Sequence, residues 1–150
     1  MSQSLAKIIV HLIYSTKHRE AVITPEVRPG LYAYQAGIFS EMGSPAIEIG
    51  GTTDHVHALF ELSKAEELCK VIEVVKKESS KWMKTQGPEF GNFYWQGGYG
   101  AFSVSPAHAQ KARAYILGQE EHHREVTFQE EFRKFLNDYH VEYDERYVWD

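Results

Sequence analysis

The sequence predicts an α+β fold, an antiparallel sheet with helices packed on one face. β-branched and apolar runs alternate with amphipathic helical runs in the order strand, helix, strand, strand, helix, strand. Glycine and proline mark the joints between these runs. The 150-residue chain is 43% hydrophobic and 25% charged, the composition of a globular protein with a proper core. No internal repeat, low-complexity stretch or linker interrupts it, so residues 1–150 are expected to form a single domain.

The first strand is read over Lys7 to Ser15, a β-branched, apolar segment suited to the centre of a sheet. Lys17, His18, Arg19 and Glu20 form a charged connection. Thr24-Pro25 places a capping residue before a proline and predicts a helix from there, with Leu31, Tyr34, Ile38 and Met42 as its apolar stripe and Gly43 as its stop. Ala46 to Gly50 is a short second strand, and Gly50-Gly51-Thr52-Thr53 turns into a third. In the third strand Val56, Ala58, Phe60 and Leu62 recur at period two. Ser63 with Glu66 reads as a capping box opening a long helix, along which Leu68, Val71, Ile72, Val75 and Trp82 make the buried side. The aromatic, glycine-rich run from Phe90 to Ser105 holds the fourth strand, and its glycines suggest close approach by another group. Ser105-Pro106 opens a helix containing Tyr115 and Gln119. Thr127 with Glu130 caps a last helix anchored by Phe128, Phe132 and Phe135. The βαββαβ order is the ferredoxin-like pattern, here with added C-terminal helices.

A net charge of −5 argues against broad electrostatic attraction to nucleic acid, leaving room only for local basic surfaces. Lys70, Lys77, Lys81 and Lys84 recur along one side of the long helix, as a solvated face or a phosphate-tracking one. Lys17 and Arg19 are further candidates for DNA contact. The single cysteine, Cys69, is expected to be a buried structural thiol in a reducing compartment. No apolar leader or membrane-length run is present, and a cytoplasmic location without membrane contact is expected.

The chemistry-bearing residues start with Asp54-His55-Val56-His57. On a strand, His55 and His57 share a face, opposite Val56 and Ala58, and two imidazoles side by side make half of a metal site. Tyr115 and Gln119, at i and i+4, lie one helical turn apart. They offer a nucleophile and a side-chain carbonyl oxygen, and a tyrosine with an ordinary pKa of about 10 needs a nearby metal to attack a phosphodiester at neutral pH. Glu120, His122 and His123 stand close by as competing ligands.

Asp54-His55-Val56-His57-Ala58-Leu59-Phe60 resembles the HUH signature (histidine, bulky hydrophobic, histidine) of the single-tyrosine transposases of the insertion sequence 200/605 family. The run from Trp95 to Ser105 is similar to the block before their catalytic helix, Tyr115 to His123 to their tyrosine–glutamine motif, and Lys76 to Trp82 to their basic helix. The resemblance spans about residues 5–125 with its motifs in order. It implies a ferredoxin-like fold, a divalent metal (Mg2+ or Mn2+) held by His55, His57 and Gln119, and Tyr115 as the nucleophile on single-stranded DNA. It also implies a 5′-phosphotyrosine link, recognition of DNA hairpins at element ends, and a homodimer whose active sites are completed in trans. Two other readings compete. One is a cupin-type metal enzyme using His55, His57 and Glu61, against which the long helix speaks. The other is a non-catalytic, RRM-like nucleic-acid-binding module, which has no need of the Tyr115–Gln119 pair.

Overall fold

The computed structural model describes residues 2–150. Its elements are β1 (Ile9–Ser15), α1 (Arg28–Glu41), β2 (Ala46–Gly51), β3 (His55–Glu61), α2 (Leu68–Lys84), β4 (Gly100–Val104), α3 (Ala109–Leu117), α4 (Gln119–His122) and α5 (Phe128–Asp138). The strands form one sheet in the order β2-β3-β1-β4, each neighbouring pair antiparallel. This is the α+β, ferredoxin-like arrangement that the element order predicts.

Side-chain alternation divides the sheet into two faces. One face carries Val10, Leu12, Tyr14, Val56, Ala58 and Phe60, which pack with Leu31, Ile38 and Phe39 of α1 and Val71, Ile72, Val75 and Met83 of α2. The other carries Ile9, His11, Ile13, His55, His57 and Leu59, all buried. Here the added helices return: Ile116 of α3 packs on Ile9 and Leu59, while Phe128, Phe132 and Leu136 of α5 pack on Ile13 and Phe102. A strip of histidines is thus enclosed between two small apolar clusters, away from bulk water.

Close backbone approach seats both of these helices. A methyl group at Gly50 of β2 would stand 2.8 Å from the Ile116 carbonyl oxygen, so glycine lets α3 lie directly on the sheet. At Gly100 of β4 the ring of Phe132 occupies the space a side chain would need. The close approach expected within the glycine-rich run is therefore made by α5.

Several element starts differ from the sequence expectation. Helix α1 begins at Arg28, because the Thr24 carbonyl first accepts from Val27 and Arg28 in a turn. Helix α2 begins at Leu68, after an extended Glu67 with no side-chain cap; Ser63 Oγ instead accepts from the Ala65 N–H. The Thr127–Glu130 capping box forms as expected, with Thr127 Oγ1 accepting from Glu130 N at 3.1 Å. Tyr115 and Gln119 do not share one helix: the chain breaks at Gly118, between α3 and α4. Cys69 is exposed, because it lies on the solvent side of the first turn of α2. Glu61 lies 3.7 Å from Lys7 at the far end of β3, and a four-stranded sheet layered with helices is not a jelly roll. Among the described residues no helix is long and apolar enough to cross a membrane.

Candidate active site

The site is built from β3 outward. His55 and His57 are both fully buried, and each ring is held from behind. His55 Nδ1 lies 2.7 Å from Asp54 Oδ1, with Thr52 Oγ1 at 3.1 Å. The carboxylate only accepts, so Nδ1 donates, and in the uncharged ring the Nε2 lone pair points inward. Burial raises the Asp54 carboxyl, but the hydrogen bond from His55 prevails and holds it below its ordinary value. His57 Nδ1 lies 2.7 Å from Nε2 of His11, a residue of β1. Burial pushes His57 down to about 4 and His11, with His57 beside it, down to about 3. Both rings are therefore neutral at pH 7.

Helices α3, α4 and α5 deliver the remaining groups. Gln119, 1% exposed, places Oε1 3.1 Å from His55 Nε2 and 2.9 Å from His123 Nε2. Its amide Nε2 donates to Glu131 Oε2 at 3.2 Å, which fixes the orientation of the amide. Glu131 of α5, 3% exposed, sets Oε1 2.8 Å from His57 Nε2 and 3.2 Å from His123 Nε2. The Tyr115 hydroxyl donates to Glu131 Oε2 and lies 3.2 Å from His122 Nε2. The Tyr115 ring stands 5.8 Å, centroid to centroid, from that of His57. Burial, then the Glu131 carboxylate as its acceptor, raises the Tyr115 phenol well above its ordinary value. Burial raises Glu131 too, but hydrogen bonds from His123 and His57 outweigh it and hold the carboxyl far below the usual range.

The structure thus brings His55, His57, Gln119 and Tyr115 together within one chain. It adds two groups that sequence reasoning did not assign, His11 and Glu131, and brings in His123, one of the competing ligands the sequence offered. Candidate ligand atoms of His55, His57, His123 and Glu131 all lie within 4.8 Å of one another. A divalent cation fits this donor set, since the inward lone pair of His55 Nε2 faces Gln119 Oε1 at 3.1 Å and a buried carboxylate, Glu131, stands beside them among imidazoles. Glu131 did leave a trace in the sequence, as the one acid set among Phe128, Phe132 and Phe135 on the buried stripe of its helix. His11 likewise interrupts the apolar run of β1. Glu120 turns away to pair with Arg28 at 2.8 Å.

The expected basic positions lie elsewhere. Lys70, Lys77 and Lys81 are exposed on α2, across the sheet from the histidines, and Lys81 stands 3.7 Å from Glu78. Lys84 Nζ donates to the Phe93 carbonyl and sits 4.1 Å from the Tyr94 ring centroid, with Lys17 at 5.9 Å from the same ring. Tyr94 is 57% exposed, so Lys17 and Lys84 flank an open aromatic surface. Arg19 lies against the Trp149 ring at 5.6 Å. Lys76 bridges the carbonyls of Gln96, Gly97 and Gly98, and burial lowers it to about 8.

Comparison with known proteins places the fold among transposases. A crystal structure of a candidate transposase from Deinococcus radiodurans superposes with a TM-score of 0.62 at 24% identity, covering 79% of this chain and 98% of that one. A REP-associated tyrosine transposase, solved bound to a REP hairpin, gives 0.60 at 12% identity, covering 84% and 76%. At these identities the likeness is one of fold. The ISDra2 transposase TnpA of Deinococcus radiodurans is 26% identical over 114 residues, 73% of this chain and 81% of that protein. The family model described as "Transposase IS200 like" matches residues 4–119. The chain belongs to the IS200-like transposase family.

Proposed function

We propose that this protein is a metal-dependent, single-stranded DNA transposase of the HUH type, with Tyr115 as nucleophile. The observation that carries the reading is the hydrogen-bonded cluster of Tyr115, Gln119, His55 and His57 in a chain of this family. The Tyr115 oxygen attacks the phosphorus of the scissile phosphodiester. The bond from phosphorus to the 3′-oxygen breaks, the tyrosine proton passes to that oxygen, and a 5′-phosphotyrosine and a free 3′-hydroxyl result. Attack by a 3′-hydroxyl on the phosphotyrosine reverses the exchange and rejoins strands, so no external energy source is needed.

His55, His57 and Gln119 would hold the cation, Mg2+ or Mn2+ in this reading. When bound it polarises a phosphate oxygen as a Lewis acid. Asp54 and His11 keep the two imidazoles oriented. Glu131 holds the Tyr115 hydroxyl at the edge of the cluster. The apolar clusters around Ile13 and Ile116 exclude water from its floor. DNA hairpins are the proposed substrate, supported by the fold shared with a transposase solved on a REP hairpin. Tyr94 with Lys17 and Lys84 suits an unpaired base and its phosphates. Lys70, Lys77, Lys81 and Arg19 would add phosphate contacts. The proposed unit is a homodimer that completes sites in trans when the helix bearing Tyr115 moves at Gly118.

Labelled single-stranded hairpin DNA from the element's own ends, incubated with Mg2+ or Mn2+ and run on a denaturing gel, tests the reading. A protein–DNA adduct is expected with the wild type and none with Tyr115→Phe or His57→Ala. An adduct that persists in Tyr115→Phe rejects Tyr115 as the nucleophile.

A further inference from the structure

Glu131 and His123 lie beyond residue 119, where the match to the family ends. We propose that these two residues are metal ligands supplied by the C-terminal segment, and that with His55, His57 and Gln119 they make the site prefer a divalent transition metal to magnesium. The inference rests on the proposed function for what the metal does there, while the ligand set is argued from geometry.

Glu131 is a buried carboxylate facing imidazoles. Its oxygens meet His57 at 2.8 Å, His123 and His122 at 3.2 Å each, and His55 at 3.7 Å. Among the described residues no lysine or arginine lies within ion-pair reach of it. A carboxylate taken out of water costs several kcal/mol or more unless a positive charge compensates it. In the metal-free protein imidazole N–H groups of His57 and His123 face that carboxylate, and a divalent cation shared with the imidazoles would replace their protons.

His123 is prepared as a ligand in the same way as His55. Its Nδ1 lies 2.6 Å from the Val126 carbonyl, which only accepts, so Nδ1 donates and Nε2 is turned toward Gln119 Oε1 and Glu131 Oε1. Metal-bound histidines regularly have such a partner on the second ring nitrogen. Each of the three histidines has one: Asp54 behind His55, His11 behind His57, the Val126 carbonyl behind His123. With four ligand atoms inside 4.8 Å, the cradle is the size of a single ion.

With the Gln119 carbonyl oxygen, three imidazoles and one carboxylate form a mixed set rich in nitrogen. Such sets suit manganese, zinc and their neighbours, whereas magnesium favours oxygen ligands and keeps several waters. The second oxygen of Glu131 holds Tyr115 and the Gln119 amide, so the same side chain ties the nucleophile to the cation site.

Calorimetric titration of the full, chelator-treated chain with MnCl2 and with MgCl2 tests this directly. The wild type is expected to bind Mn2+ at least about tenfold more tightly than Mg2+. Glu131→Gln and His123→Ala are each expected to weaken Mn2+ binding by about tenfold or more, and the exposed control Glu121→Gln to leave it unchanged. Thermal melts without metal establish that the variants fold, and His123→Ala, at a partly exposed position, carries the test if Glu131→Gln does not. Unchanged Mn2+ affinity in both variants, or equal wild-type affinity for the two metals, overturns the proposal. A wild type that holds Mn2+ through these residues yet forms no DNA adduct overturns the proposed function and leaves the ligand assignment standing. A Tyr115-dependent adduct with unchanged Mn2+ affinity in both variants does the reverse.

Discussion

His57 shows how much of the site is decided by single protons. Its Nε2 faces the Glu131 carboxylate, so in the metal-free protein that nitrogen donates and Nδ1 accepts from His11. Holding a cation would need the Nε2 lone pair and so the opposite tautomer of His57, which the same His11 contact would accommodate by reversing its direction. Burial gives both rings folded pKa values below the ordinary 6.5, about 4 for His57 and about 3 for His11. The unfolded chain then binds protons first as the pH falls, and acidification favours unfolding. The melting temperature of metal-free protein is expected to fall between about pH 6.5 and pH 4, and the slope to flatten in His11→Asn. A wild-type profile flat over that window would contradict the burial argument.

At the scale of elements, the site depends on how α3 and α5 are seated on the sheet. Gly50→Ala would push its methyl against the Ile116 carbonyl, 2.8 Å away, and lift α3 together with Tyr115. A loss of about 1–3 kcal/mol of stability is expected, with a larger fall in adduct formation. Gly37→Ala, inside α1 with nothing within 4 Å of the new methyl, is expected to stabilise by up to about 1 kcal/mol. Equal effects of the two substitutions on the thermal melt would remove the seating argument. These elements also divide what the sequence could tell from what it could not. The period-two pattern of Val56, Ala58 and Phe60 placed His55 and His57 together on the opposite face, and that local geometry needs only the strand itself. The Thr127–Glu130 box was legible for the same reason. Gly118 is legible as a weak point between Tyr115 and Gln119, but neither the full break there nor the return of α5 over the histidines could be read, because tertiary packing decides both. Glu131 lies 16 residues from Tyr115 along the chain, and only the fold makes them neighbours. The starts of α1 and α2 were misplaced because local turns at Thr24 and Ser63 took up the residues expected to cap the helices.

The whole molecule assigns different work to the two faces of one sheet. Helices α1 and α2 cover the first with a continuous apolar core, and α3 to α5 close the second over the histidines. The net charge of −5 fits a molecule whose basic groups are local, with Lys17 and Lys84 gathered at Tyr94 and the remaining lysines of α2 spread on its outer side. In the single chain the tyrosine stands on its own histidine pair. Mixing Tyr115→Phe with His57→Ala chains tests whether the proposed dimer exchanges this helix. Recovery of cleavage in the mixture is expected for completion in trans, and a mixture as inactive as its components would mean that sites act strictly in cis. The central claim is that Tyr115 forms the covalent bond to DNA, and peptide mapping of the wild-type adduct by mass spectrometry tests it most directly. A nucleotide 5′-phosphate on the peptide containing Tyr115, localised to the tyrosine ring oxygen, is the expected result; the same modification on any other residue would contradict it.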